Sequence, residues 1–100
     1  MLWAISRVAA PDFAAKREKG LKPHMDYLLS QKKILVLSGP TESDDGTKFL
    51  GALLIVNVNS RAEAQAFVDN DPFTKAGMFT KVTITRMRKG QWNPQACEGA

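Results

Sequence analysis

Cysteine is almost absent from this chain: Cys97 stands alone among 100 residues. A lone cysteine forms no internal disulfide, so no covalent cross-link within the chain supports the fold. Histidine is equally scarce, with His24 the single example. The carboxylates, Asp44 and Asp45 included, are not spaced as metal ligands, so no metal site is expected. No run of about 20 apolar residues occurs, which argues against a transmembrane helix and a membrane partner. The opening residues Met1-Leu2-Trp3-Ala4-Ile5-Ser6-Arg7 lack the basic n-region and long apolar core of a signal peptide, and the cytoplasm is the expected compartment. There is no Gly-rich phosphate loop, no dinucleotide fingerprint and no internal repeat. No cofactor is expected.

What remains is an ordinary globular composition. An apolar fraction of 44% against 24% charged residues is enough for a packed core. The length suits one domain over residues 1–100, with the polar, Pro- and Gly-containing stretch 90–100 as a loose tail. The formal charge of +4 comes largely from two clusters, Lys16, Arg17, Lys19 and Lys22, then Lys81, Arg86, Arg88 and Lys89. Aromatic residues are not interleaved with them on one face, so nucleic acid is not an expected partner. An anionic small molecule is compatible with this charge.

Periodicity orders the chain. Leu2 to Val8 alternates as a strand. Asp12 is placed to cap a helix beginning near Phe13 and running to about Gln31, with Leu21, Met25 and Leu28 at helical spacing and His24 at the stripe's edge. Gly20 and Pro23 disturb that helix; a restart at Pro23 would put His24 near a positive helix end. Lys33 to Ser38 is a second strand, ended by Gly39-Pro40. Asp44-Asp45-Gly46 marks a turn. Phe49 to Val58 is the most apolar strand, with Leu50, Ala52, Leu54, Val56 and Val58 on one face and Phe49, Leu53 and Ile55 on the other. Ser60 and Glu63 fit a capping box that opens a short helix to Asp69. Phe79 to Arg88 alternates again as a final strand.

The order β-α-β-β-α-β is the ferredoxin-like arrangement of the α+β class: a four-stranded antiparallel sheet with both helices on one face. The other face is then open. The third strand is apolar on both sides, and Trp3 and Ile5 are expected to add apolar surface. A homodimer packed sheet face to sheet face, a dimeric α+β barrel, is the expected way to cover it.

Asp71-Pro72-Phe73 is the candidate functional centre. Pro72 stops the second helix and biases Asp71 toward an extended backbone, so the carboxylate is held at a junction. His24 is the only imidazole that can meet it. Such a pair suits general acid/base work near neutral pH, because a carboxylate on one ring nitrogen fixes the tautomer and strengthens the other as a base. The structural alternative is a helix-edge histidine and a helix-capping aspartate that only hold the loop.

At Asp71-Pro72-Phe73 the sequence resembles the YCII-related family, also called the DGPF-domain family. The likeness extends over nearly the whole chain: His24 followed by Met25-Asp26-Tyr27-Leu28, Ser38-Gly39-Pro40, Asp45-Gly46, Gly51 before the apolar strand, Ser60 with Ala62-Glu63-Ala64, and Ala76-Gly77 after the tripeptide. The resemblance implies a ferredoxin-like fold, a dimeric α+β barrel and an active site built on His24 and Asp71. It names no substrate. Many members carry an arginine three residues before the histidine; Leu21 stands there in this chain, leaving Arg17 or Lys22 to take its part.

Two functions follow as expectations. One is a small cofactor-independent enzyme, isomerase- or lyase-type, using His24 and Asp71 on a small anionic or aromatic substrate. Arg17, Ser38, Gly39, Pro40 and Phe73 are then the substrate-binding candidates. The alternative is a non-catalytic dimer that binds a small ligand or partner in the same cleft. Only the first needs His24 within hydrogen-bonding reach of Asp71 with the other ring nitrogen open to space, and that separates the two.

Overall fold

The computed structural model describes residues 1–100. Its elements are β1 (Leu2–Ala9), α1 (Phe13–Ser30), β2 (Leu35–Glu42), β3 (Phe49–Asn57), α2 (Arg61–Asn70), the one-turn α3 (Pro72–Lys75) and β4 (Phe79–Met87). The strands form one antiparallel sheet in the order β2-β3-β1-β4. Each crossover, β1-α1-β2 and β3-α2-β4, skips the central neighbour, which is the ferredoxin-like topology. A short 3₁₀ turn, Pro94–Cys97, follows in an exposed tail.

Register decides what the helices cover. Trp3 pairs with Val56, and Ile5 lies between Leu54 and Ile84. These side chains are buried with Leu28 of α1 and Ala64, Phe67 and Val68 of α2. Each such aliphatic or aromatic side chain taken out of water contributes about 1.5–3 kcal/mol. Trp3 and Ile5 therefore belong to the helix-covered face, not to the open one. The open face still carries exposed apolar side chains, Val8, Leu37 and Leu53, supplied by β1, β2 and β3.

Other details depart from the sequence reading. Pro23 neither ends nor restarts α1; the helix is continuous from Phe13 to Ser30, and His24 lies well inside it rather than at a positive end. Asp12 occupies the N-cap position without a capping bond and instead pairs with Lys16 at 3.1 Å. Gly39-Pro40 does not end β2, which continues to Glu42. The strand is at the sheet edge, where a residue without an N–H is tolerated on the unpaired side. Phe49 does not share the open face with Leu53; its ring packs on Phe13 at 5.5 Å.

The Ser60 cap forms, with Ser60 Oγ accepting from the Glu63 N–H at 3.2 Å, while Glu63 reaches back one residue beyond the cap, to the Asn59 N–H. Tyr27 ties α1 to α2 by donating to the Phe67 carbonyl at 2.7 Å. β1 and β3 approach so closely at Gly51 that a Cβ there would lie 1.9 Å from the Arg7 carbonyl oxygen. A second apolar cluster, Phe13, Phe73 and Met78, is separate from the main core. The site lies between the two.

Candidate active site

The site is assembled from three elements around Asp71. α2 ends at Asn70, and Pro72 opens α3, so Asp71 adopts the extended backbone (φ −67°, ψ 125°) that a residue before proline favours. Its Oδ1 accepts from the Phe73 N–H at 3.0 Å and caps α3. The carboxylate is fully buried, and two further donors reach it. His24 Nδ1 lies 2.7 Å from Oδ1, and Arg7 Nη1 donates to Oδ2 at 2.8 Å.

Burial alone would raise the Asp71 carboxyl, but the hydrogen bonds from His24, Arg7 and Phe73 and the charge of Arg7 outweigh it. The group is held below the ordinary carboxylate value. An ionised Asp71 is an acceptor only, so Nδ1 of His24 carries the hydrogen between them. The lone pair is then on Nε2, which makes no hydrogen bond within the protein. The imidazole is steadied from one side by Phe73, stacked at 3.8 Å with an interplanar angle of 2°. Gly20, unfavourable in a helix by about 1 kcal/mol relative to alanine, has a reason here: a Cβ at that position would press to 3.3 Å from the Phe73 ring.

Arg7 was not among the sequence candidates. Burial pushes its guanidinium down, opposed by the bond to Asp71 and the attraction of that charge. It lies 4.0 Å over the Phe79 ring, makes a long contact of 3.4 Å to Thr74 Oγ1, and its Nε has no partner. The signal was present in the alternation: Trp3, Ile5 and Arg7 share one face of β1, and a charge two residues beyond a buried isoleucine faces the interior.

A cavity of about 210 Å³ opens beside this trio. Arg7, Arg17, His24, Ser38, Gly39, Pro40 and Phe73 line it, with Phe13, Leu21, Met25, Leu28 and Leu54 among the apolar walls. Asp71 sits behind His24 rather than in the lining. Arg17 lies over the Phe49 ring at 4.7 Å and has no carboxylate partner. Lys22 is elsewhere, paired with Asp26 at 2.9 Å on the exposed side of α1. Where Leu21 stands, the wall is apolar. An apolar cavity of about 150 Å³ takes one benzene ring, so a single substituted six-membered ring is of suitable size. Nowhere do three or more His, Cys, Asp or Glu side chains converge as a metal cluster, and no helix is long and apolar enough to cross a membrane.

The strand order and the helices on one face define a ferredoxin-like α+β protein, with a histidine–aspartate contact beside a ring-sized cavity. The model of the YCII-related domain matches residues 1–88, and the chain belongs to the YCII family. A similar solved structure is 5-chloro-2-hydroxyhydroquinone dehydrochlorinase (TftG) from Burkholderia phenoliruptrix AC1100, in complex with 2,5-dihydroxybenzoquinone. It is 34% identical, with a TM-score of 0.80, and the match covers 90% of this chain and 96% of that one. No curated protein matches this sequence.

Proposed function

We propose that this protein is a cofactor-independent lyase or isomerase that moves a proton on a small hydroxylated aromatic or quinonoid substrate, with His24 as general acid/base and Asp71 orienting it. The observation that carries the reading is the 2.7 Å contact between His24 Nδ1 and a buried, ionised Asp71, with Nε2 left unpartnered beside a ring-sized cavity. The dehydrochlorinase supports the elimination class. For a chlorinated hydroquinone the step balances in two parts: one hydroxyl proton is delivered to the chlorine-bearing carbon to give the keto tautomer, then the second hydroxyl proton goes to the base while chloride leaves with its bonding pair, so that hydrogen chloride is lost and the quinone is formed. No redox partner is required. Nε2 takes the proton, and the phenolate-like charge on the substrate is met by Arg17 at the cavity wall. Ser38 supplies a hydroxyl beside Gly39 and Pro40, and Phe73 fixes the imidazole plane from behind.

The assembled state belongs to the same reading. Two copies cover each other's open sheet faces through Val8, Leu37 and Leu53, forming a dimeric α+β barrel. The experiment is a panel of halogenated hydroquinones and small aromatic hydroxy acids, incubated anaerobically and followed by ultraviolet absorbance and halide release. Turnover is expected, and His24→Gln should lower it by about 10²–10⁴-fold, the usual worth of a general base. Binding without turnover by any member of the panel would replace this reading with that of a ligand-binding module.

A further inference from the structure

Arg7 takes no part in the proton transfer just described, yet it is a demanding residue to bury. It is 3% exposed, its Nε has no acceptor, and a buried ion pair is often no more stabilising than apolar side chains of the same volume. Its presence is explained by what the guanidinium does to Asp71.

The two oxygens of Asp71 are divided between donors. Oδ2 is taken by Arg7 at 2.8 Å. Oδ1 serves His24 at 2.7 Å and the Phe73 N–H at 3.0 Å. The side chain has no exposed surface, so bulk water does not compete for either oxygen. Two arrangements are open to such a carboxyl. Ionised, it accepts from Nδ1–H, and the imidazole lone pair is on Nε2. Protonated, its O–H can donate to Nδ1, and the ring proton moves to Nε2. The cavity-facing nitrogen is a base in the first arrangement and a hydrogen-bond donor in the second. Burial favours the neutral carboxyl; a fixed cation against Oδ2 favours the carboxylate. Arg7 is the one such cation, because Arg17 lies over Phe49, and Lys16 is turned to the Ala76 carbonyl and Asp12.

We propose that Arg7 is a positioning residue that selects the His24 tautomer: by holding Oδ2 of Asp71 it keeps Nδ1 as the donor and Nε2 as the lone-pair atom facing the cavity. This deepens the reading above and rests on His24 as the base. Its test reads the imidazole itself, so it does not depend on turnover. Wild type, Arg7→Met, Arg7→Gln and Arg7→Lys are labelled with ¹⁵N-histidine and examined at about pH 8, where imidazole is ordinarily neutral. Wild type is expected in the Nδ1–H form. The two neutral variants should shift toward Nε2–H, and the Asp71 carboxyl, followed by ¹³C shift, should titrate higher in them. Arg7→Lys should restore the wild-type form.

If Arg7→Met fails to fold, Arg7→Gln carries the test, because its amide N–H can still satisfy Oδ2 without a charge. A folded neutral variant that keeps the Nδ1–H form and an unmoved carboxyl titration overturns the inference. So does a wild type found in the Nε2–H form. A wild type with no turnover on any substrate would remove the functional reading and leave the tautomer result as measured.

Discussion

Asp71→Ala is the sharpest perturbation this structure offers. The Arg7 and Asp71 side chains are 1% and 0% exposed, so the substitution strands a guanidinium in the interior. Nη1 would retain only the 3.4 Å contact to Thr74, and Nε already lacks a partner. Removing one member of a buried ion pair costs about 3–5 kcal/mol. The Phe73 N–H also loses its cap, worth about 1 kcal/mol more. A domain of this size has a total stability of about 5–15 kcal/mol, so the variant is left close to the edge of folding. At about 4–8 °C per kcal/mol, its Tm should fall by at least about 16 °C. The decisive comparison is the double variant Arg7→Met/Asp71→Ala. With no stranded cation and a methionine of suitable length against Phe79, it should recover at least about 2 kcal/mol relative to Asp71→Ala. Urea unfolding with a constant m-value measures both. A loss below about 1 kcal/mol for Asp71→Ala, or a double variant no more stable than the single one, would show that the buried pair does not have the energetics described.

Three further outcomes are expected. The folded Asp71 carboxyl lies below its ordinary value of 3.8, so its stabilisation is complete above that pH and is lost as pH falls through the lower folded value; Asp71→Asn should flatten the stability curve in this acid window, and an unchanged curve would contradict it. Gly51→Ala should prevent normal pairing of β1 with β3, since its Cβ would lie 1.9 Å from the Arg7 carbonyl oxygen; a folded variant with wild-type Tm would show that the strands can separate there. Leu53→Asp, on the open sheet face at 41% exposure, should convert a dimer to monomer or aggregate, and light scattering that finds monomeric wild type would remove the proposed assembly.

The order of elements was legible because the chain's local signals agree with its tertiary structure. The Ser60–Glu63 box, the Pro72 stop and the alternation in β1 and β4 each mark what they usually mark. The failures share a cause. Gly39-Pro40 read as a terminator because a proline inside a strand is tolerated only at a sheet edge, and edge position is a property of the whole sheet. The place of Trp3 and Ile5 on the covered face is not legible locally, because alternation gives two faces but not which one the helices choose. Pro23 read as a break because local propensity does not include the packing that carries α1 through it. Within the site, Arg7 is not legible from residue type, because only the alternation of β1 tells which way it faces. His24 and Arg17 fell at the cavity because helical spacing from Leu21 and Leu28 points them the same way.

Asp71 also bears on when the proposed site can form. Its bonds to Arg7 and His24 span 64 and 47 residues of sequence, so the trio is complete only when β1, α1 and the end of α2 have all been brought together. Contacts of such separation carry the full loop-closure entropy and form only as the global topology closes. A partly folded chain can own a helical His24 and a capped α3 and still lack an oriented imidazole. Under the proposed reading, an oriented imidazole is therefore tied to closure of these long-range contacts.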